Sequence, residues 1–180
     1  MKYDARLDAY LDSVIALIAA AQESDGYLTT CVTNRCTRLS GWWGTHRWEK
    51  INSHELYNSG HLYEAAVAHY RATGKRSLLD VAIKNADLVC RVFGPDEGQK
   101  HVPSGHPIVE MALAKLYKVT GKEEYLRTAR SQMRVRAWKR LPVAPSARPG
   151  ISWKKRDDAP TDMPPVHTAK TTNPFSNKMK

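Results

Sequence analysis

Apolar residues recur at three- and four-residue steps through Leu7, Tyr10, Leu11, Val14, Ile15 and Ile18, which predicts a helix over 6–23 carrying one apolar stripe. Ser24-Asp25-Gly26 ends that helix with turn chemistry, and the stretch 29–50, with Gly41, Gly44 and three tryptophans, reads as a long loop. A second helix is expected over 53–73, with Gly74 at the stop position, and a third over 77–92, before the breaker Gly94-Pro95. A loop through Pro103, Gly105 and Pro107 leads to a fourth helix over 108–119. That helix stops at Gly121, and a fifth begins near Glu123. No period of two competes anywhere, so the fold class is all-α.

The chain also repeats itself. Tyr70-Arg71-Ala72-Thr73-Gly74-Lys75 returns 47 residues later as Tyr117-Lys118-Val119-Thr120-Gly121-Lys122, and Leu79 and Ala82 return in register as Leu126 and Ala129. Each unit is a helical hairpin. A period of this size means helix pairs stacked side by side, either in an open solenoid or in a ring of inner and outer helices.

Charge changes the picture only at the carboxyl end. The 180 residues carry a net charge of +10, yet residues 1–130 hold 17 Lys+Arg against 15 Asp+Glu, and residues 131–180 hold 11 against 3. Seven of the ten prolines also fall in 131–180. The division expected is therefore 1–130 as the folded part and 131–180 as a basic, proline-rich tail without packed structure. Lys and Arg without interleaved aromatics or a docking motif give weak, salt-sensitive attraction, so no specific nucleic-acid partner is expected. No apolar run approaches the roughly 18 residues that would span a membrane. Three cysteines are too few for a disulfide scaffold, which makes a reduced cytoplasmic setting the expectation.

Six of the seven histidines lie in 46–106. His54 and His61 are seven apart on the second predicted helix, two turns along nearly the same face. They do not form the zinc-protease motif, because Asn58 stands where its second histidine belongs. His106 stands at the mouth of the fourth helix, with Glu110 one turn further on. In a ring of helix pairs, loops entering inner helices face the central cavity. An imidazole there can bond sugar hydroxyls, a carboxylate can accept from them, and Trp42, Trp43 or Trp48 could offer a face to a sugar ring. Helix capping for the histidines and core packing for the tryptophans are the competing roles.

The runs Leu7 to Ile15, Ala20-Ala21-Gln22-Glu23 and Asp25-Gly26-Tyr27-Leu28 resemble glycoside hydrolase family 127, the family of the β-L-arabinofuranosidases. The likeness continues through Arg47-Trp48, His54-Glu55-Leu56-Tyr57, Gly60-His61-Leu62, Glu64-Ala65-Ala66, Gly105-His106 with Glu110, and Tyr117 to Gly121. It implies a partial (α/α)6 barrel, a toroid of helical hairpins, here matched in a central slice. It implies a carbohydrate partner of the arabinofuranoside kind, with His54 and His106 as sugar contacts and Glu110 and Trp48 beside them. It further implies a retaining mechanism with a zinc-bound cysteine thiolate as nucleophile and a glutamate as acid/base. Those catalytic and zinc-binding positions lie downstream of everything matched, so no catalytic or metal residue is assigned in this chain. Cys31, Cys36 and Cys90 occupy none of them.

The resemblance stops near Arg130. Codons open to Thr168–Lys180, read one frame over, can spell SQDHKPVLEQDE, a motif close to the one that the family carries further on. The expectation is that the chain from about 131 onward is a frameshifted translation, and the gene's codons test it. The leading functional expectation is a sugar-contacting part of a glycosidase, inactive alone. The alternative is an α-helical repeat module that binds a protein, although two clear repeats fall short of the three or so a stable array needs.

Overall fold

A computed structural model describes residues 4–36 and 40–140 of the chain. Seven helices run through them: α1 (Ala5–Ala21), α2 (Thr30–Thr33), α3 (Ser40–Trp43), α4 (Glu55–Thr73), α5 (Ser77–Val92), α6 (Val109–Thr120) and α7 (Glu123–Arg140). The only extended pairing among the described residues is one isolated bridge between Phe93 and Lys100. The five long helices stand where the apolar periodicity puts them. The long loop differs in carrying the two short helices α2 and α3, each too brief to leave a periodic signal.

The repeat is built in two layers. α4 packs on α5 and α6 on α7 as hairpins; α4 also packs on α6, and α5 lies between α1 and α7. Hairpins reverse direction twice per unit, so α4 and α6 run parallel and present their N-terminal ends together. The two repeated turns share one construction. Gly74 and Gly121 both adopt φ 74°, a left-handed conformation that glycine takes without steric cost. Their N–H groups donate to Tyr70 O at 2.8 Å and Tyr117 O at 2.7 Å. The lysine after each glycine then reaches the neighbouring outer helix. Lys75 Nζ donates to Asp8 Oδ1 at 2.8 Å and Asp12 Oδ2 at 2.7 Å, and Lys122 Nζ donates to Asp87 Oδ1 at 2.7 Å. The repeated motif thus encodes both a hairpin turn and the step to the previous hairpin.

Burial concentrates between the layers, where Tyr63, Ala66, Leu79, Ala82, Leu113, Leu116 and Tyr125 lose contact with water. One buried polar chain ties the layers to the loop after α1: Tyr63 OH donates to Asn85 Oδ1 at 2.7 Å, and Asn85 Nδ2 donates to Gly26 O at 2.8 Å. At Gly60 the two inner helices come so close that an added Cβ would stand 2.8 Å from Ile108 Cγ2 and 2.9 Å from Val109 N. Only glycine permits that approach.

Two expectations change here. The apolar stripe of α1 is not buried as a unit: Ile15 is buried against α5, while Leu7, Tyr10 and Leu11 stay exposed. Periodicity marks an apolar face, but the number of neighbouring elements decides how much of it is covered. Helix α7 also runs past residue 130 to Arg140, because 131–140 contains neither Pro nor Gly. The remainder of the basic tail, 141–180, lies outside the described residues.

Leu79→Ala should cost about 2–5 kcal/mol in chemical denaturation, since it opens a void between fully packed layers. Tyr10→Lys, at an exposed position, should stay within about 0.5 kcal/mol. Equal losses in the two variants would contradict the layer assignment.

Candidate functional site

The parallel N-termini of α4 and α6 bring the named histidines together. His54 occupies the N-cap position of α4, yet its side chain makes no capping bond, and α6 likewise starts without a side-chain cap. Capping therefore does not account for either imidazole. The rings of His54 and His106 lie 5.2 Å apart between centroids. Tyr57, one turn along α4, packs on both, at 5.2 Å from His54 and 5.1 Å from His106. His61 adds a contact to Tyr57 at 4.4 Å. On the other side, Trp42 of α3 meets His54 edge-on at 5.3 Å and Trp43 stands at 6.5 Å. Trp43 also lines a pocket of about 370 Å³ with Asn58 and the end of α1. The result is a cluster of imidazole, phenol and indole, open to solvent at His106, His61 and Trp42.

The loop before α4 is held by charge. Arg47 is paired with Glu23 and Asp25 and lies over the Tyr27 ring at 4.3 Å. The Arg47 hydrogen bond holds the Asp25 carboxyl below its ordinary value. Glu49 accepts from the Thr45 N–H at 2.7 Å and the His46 N–H at 3.1 Å, backbone bonds that lower its carboxyl to about 2. Beneath them Glu55 is buried at 2% exposure. It accepts from Tyr27 OH, from the Trp48 N–H at 2.9 Å and from Ser53 Oγ at 3.2 Å. Burial pushes the Glu55 carboxyl above its ordinary value, and these donors offset part of the rise.

Two of the four expected sugar-site residues do not join the cluster. Trp48 turns inward on a left-handed backbone, φ 51°, and packs edge-on against Tyr27 at 5.2 Å and Phe93 at 5.6 Å. Its indole is a core side chain, and Trp42 and Trp43 stand beside His54 instead. Glu110 is buried and bound from behind: Arg136 donates to Oε1 from Nη2 at 2.8 Å and from Nε at 3.2 Å. Ser104 Oγ adds a bond at 3.3 Å, and Gln132 Oε1 accepts the Ser104 N–H at 2.9 Å. Glu110 thus anchors the loop that carries His106 rather than facing a ligand. Tyr57, absent from the expected set, sits three residues after His54 and four before His61, the spacing that shares a helix face.

The donor set does not fit a zinc–thiolate centre. Among the described residues no three of His, Cys, Asp and Glu gather where they could hold a metal ion. Cys90 is buried, and burial raises its thiol to about 11. No helix of the described residues is long and apolar enough to cross a membrane.

Comparison with known proteins adds the family. The family described as β-L-arabinofuranosidase, GH127 catalytic domain, matches over residues 1–174. The non-reducing end β-L-arabinofuranosidase of Bifidobacterium longum subsp. longum is 47% identical over 125 residues, which is 68% of this chain and 18% of that protein. A solved GH127 β-arabinofuranosidase superposes with a TM-score of 0.71 at 49% identity, covering 75% of this chain and 22% of its own. The GH127 β-L-arabinofuranosidase from Geobacillus stearothermophilus T6 gives 0.67 at 44% identity, over 75% of this chain and 20% of its own. The chain spans about one fifth of the length of these relatives. The family match runs beyond 131, into the stretch for which a shifted frame is expected, whereas the curated relative matches over 125 residues.

Glu55 supplies a pH test. Its folded-state value is raised, so the folded chain binds a proton more readily than the unfolded one, and stability from this group is lost as pH rises from the ordinary carboxylate range upward. Glu55→Gln should therefore gain on the wild type between pH 4 and pH 7 in urea denaturation. An unchanged difference at the two pH values would contradict the assignment.

Proposed function

Because this chain belongs to the GH127 β-L-arabinofuranosidase family, we propose that its aromatic–imidazole cluster forms part of the wall that receives the sugar of an arabinofuranoside-like glycoside. The observation that carries this reading is the pairing of His54 and His106 at 5.2 Å with neither ring used as a cap. Each imidazole offers a donor or an acceptor to a hydroxyl, so two of them converging can grip adjacent hydroxyls of one small ring. Tyr57 and Trp42 add apolar faces for its C–H groups. Glu64, on α4, pairs with Lys115 of α6 and fastens the two helices that carry the wall. A site of this kind orients a sugar; it does not break a glycosidic bond.

Hydrolysis with retention needs a nucleophile and an acid/base residue flanking one anomeric carbon. Glu55 and Glu110 are buried and engaged, and Cys90 is buried in the core. The chain's part is positioning, and among the described residues no three metal donors gather to hold the zinc that the family resemblance implies.

Saturation-transfer NMR with L-arabinose tests this. His54→Ala and His106→Ala should each weaken binding about tenfold, ~1.4 kcal/mol, the scale of one or two lost hydrogen bonds. Trp48→Phe should leave affinity unchanged in the folded protein. The purified chain, supplied with zinc and a reductant, should not release a chromogenic group from a β-L-arabinofuranoside. Binding indifferent to both histidines, or turnover above a control lacking them, would overturn the reading.

A further inference from the structure

The short helix α2 ends in a backbone closure that sets two thiols against each other. Beyond its C-cap Asn34, Arg35 takes a left-handed backbone, φ 50°, which a residue with a side chain adopts only at a cost. The Arg35 N–H donates to Val32 O at 3.1 Å, and the Cys36 N–H donates to Cys31 O at 2.9 Å. These nested bonds are the Schellman closure, which frequently brings a contact between the side chains at the two ends of the outer bond. That contact is ordinarily apolar. Here the residues at those two positions are Cys31 and Cys36.

Both cysteines are free; Cys31 is half-buried and Cys36 exposed. They open onto a pocket of about 370 Å³ that Arg35, Thr45 and His46 also line. A disulfide forms without backbone movement only where the two main chains already lie a few ångströms apart and the side chains converge. The closure at the end of α2 draws the two main chains together, and both thiols line one pocket.

We propose that Cys31 and Cys36 form a dithiol modification site that closes to an intramolecular disulfide by exchange with a low-molecular-weight disulfide. The exposed Cys36 thiolate attacks one sulfur of the small disulfide, forming a mixed disulfide and expelling one small thiolate. The Cys31 thiolate then attacks the Cys36 sulfur, forming the Cys31–Cys36 bond and expelling the second. The two protons given up by the cysteines end on the two released thiols. The protein dithiol is oxidised by two electrons, and the small disulfide is reduced. Burial first, and then the adjacent Cys36 thiol, hold the Cys31 thiol above its ordinary value, which suits Cys31 to the second, intramolecular step.

The test uses the full chain, oxidised glutathione and mass spectrometry without reductant. The wild type should lose the mass of two hydrogens and retain no adduct. Trypsin cuts after Arg35, between the two cysteines, so the bond should appear as a cross-linked pair of peptides. Cys90, buried in the core, should stay reduced in the folded chain. Cys31→Ser should instead keep a stable glutathione adduct on Cys36. Closure should be about tenfold faster in the folded chain than in urea, because the fold holds the thiols together. A stable glutathione adduct on the wild type, a cross-link between two chains, or equal rates folded and unfolded would overturn the proposal.

Discussion

The approach of α4 to α6 at Gly60 is the constraint on which the site depends. A Cβ there would collide with Ile108 and with the backbone of Val109, so any larger residue would push the two inner helices apart. With them in contact and parallel, the ends that carry His54 and His106 stand side by side. The site is therefore a consequence of helix packing, and its two imidazoles come from segments 52 residues apart in the chain. Everything around them serves to hold those ends. Arg47, Glu49 and Glu55 fix the loop entering α4, and Glu110, Arg136 and Gln132 fix the loop entering α6. Both loops use a buried carboxylate as their anchor, which satisfies backbone and hydroxyl donors that would otherwise be left unpaired.

Much of this is legible from the chain alone. The hairpin turns at Gly74 and Gly121 carry their conformation in a repeated motif, and the lysine that follows each one carries the step to the previous hairpin. The pairing of His54 with His106 follows from the family resemblance and from the layer logic of helix pairs. What the sequence hides is direction. Trp48 and Trp42 are the same residue type six positions apart, and only the left-handed turn at Trp48 sends one into the core while the other meets His54. Glu110 is one turn from the helix mouth, as a sugar acceptor would be, yet Arg136 binds it from the opposite side. Its partner lies 26 residues on, where no local pattern links the two.

The boundary near 130 shows the same limit. Composition changes there, but helix formation responds to local breakers, and none occurs before Pro142. Residues 131–140 consequently continue α7 and contribute Gln132 and Arg136 to the loop that holds His106. A shifted reading frame would make those two contacts products of a foreign stretch, so the codons of 131–180 bear on how the loop before α6 is held in this chain.

The most direct test of the account is the spatial relation of the two histidines in solution. Imidazole rings 5.2 Å apart between centroids place their carbon-bound protons within range of a nuclear Overhauser effect. Selective labelling of histidine in the full chain should give cross-peaks between His54 and His106, and from each of them to Tyr57. Gly60→Val, which separates α4 from α6, should weaken the His54–His106 peak while helical content persists. Absence of that peak in the folded wild type, with each ring in contact only with its own segment, would contradict the claim that packing of the inner helices builds the site.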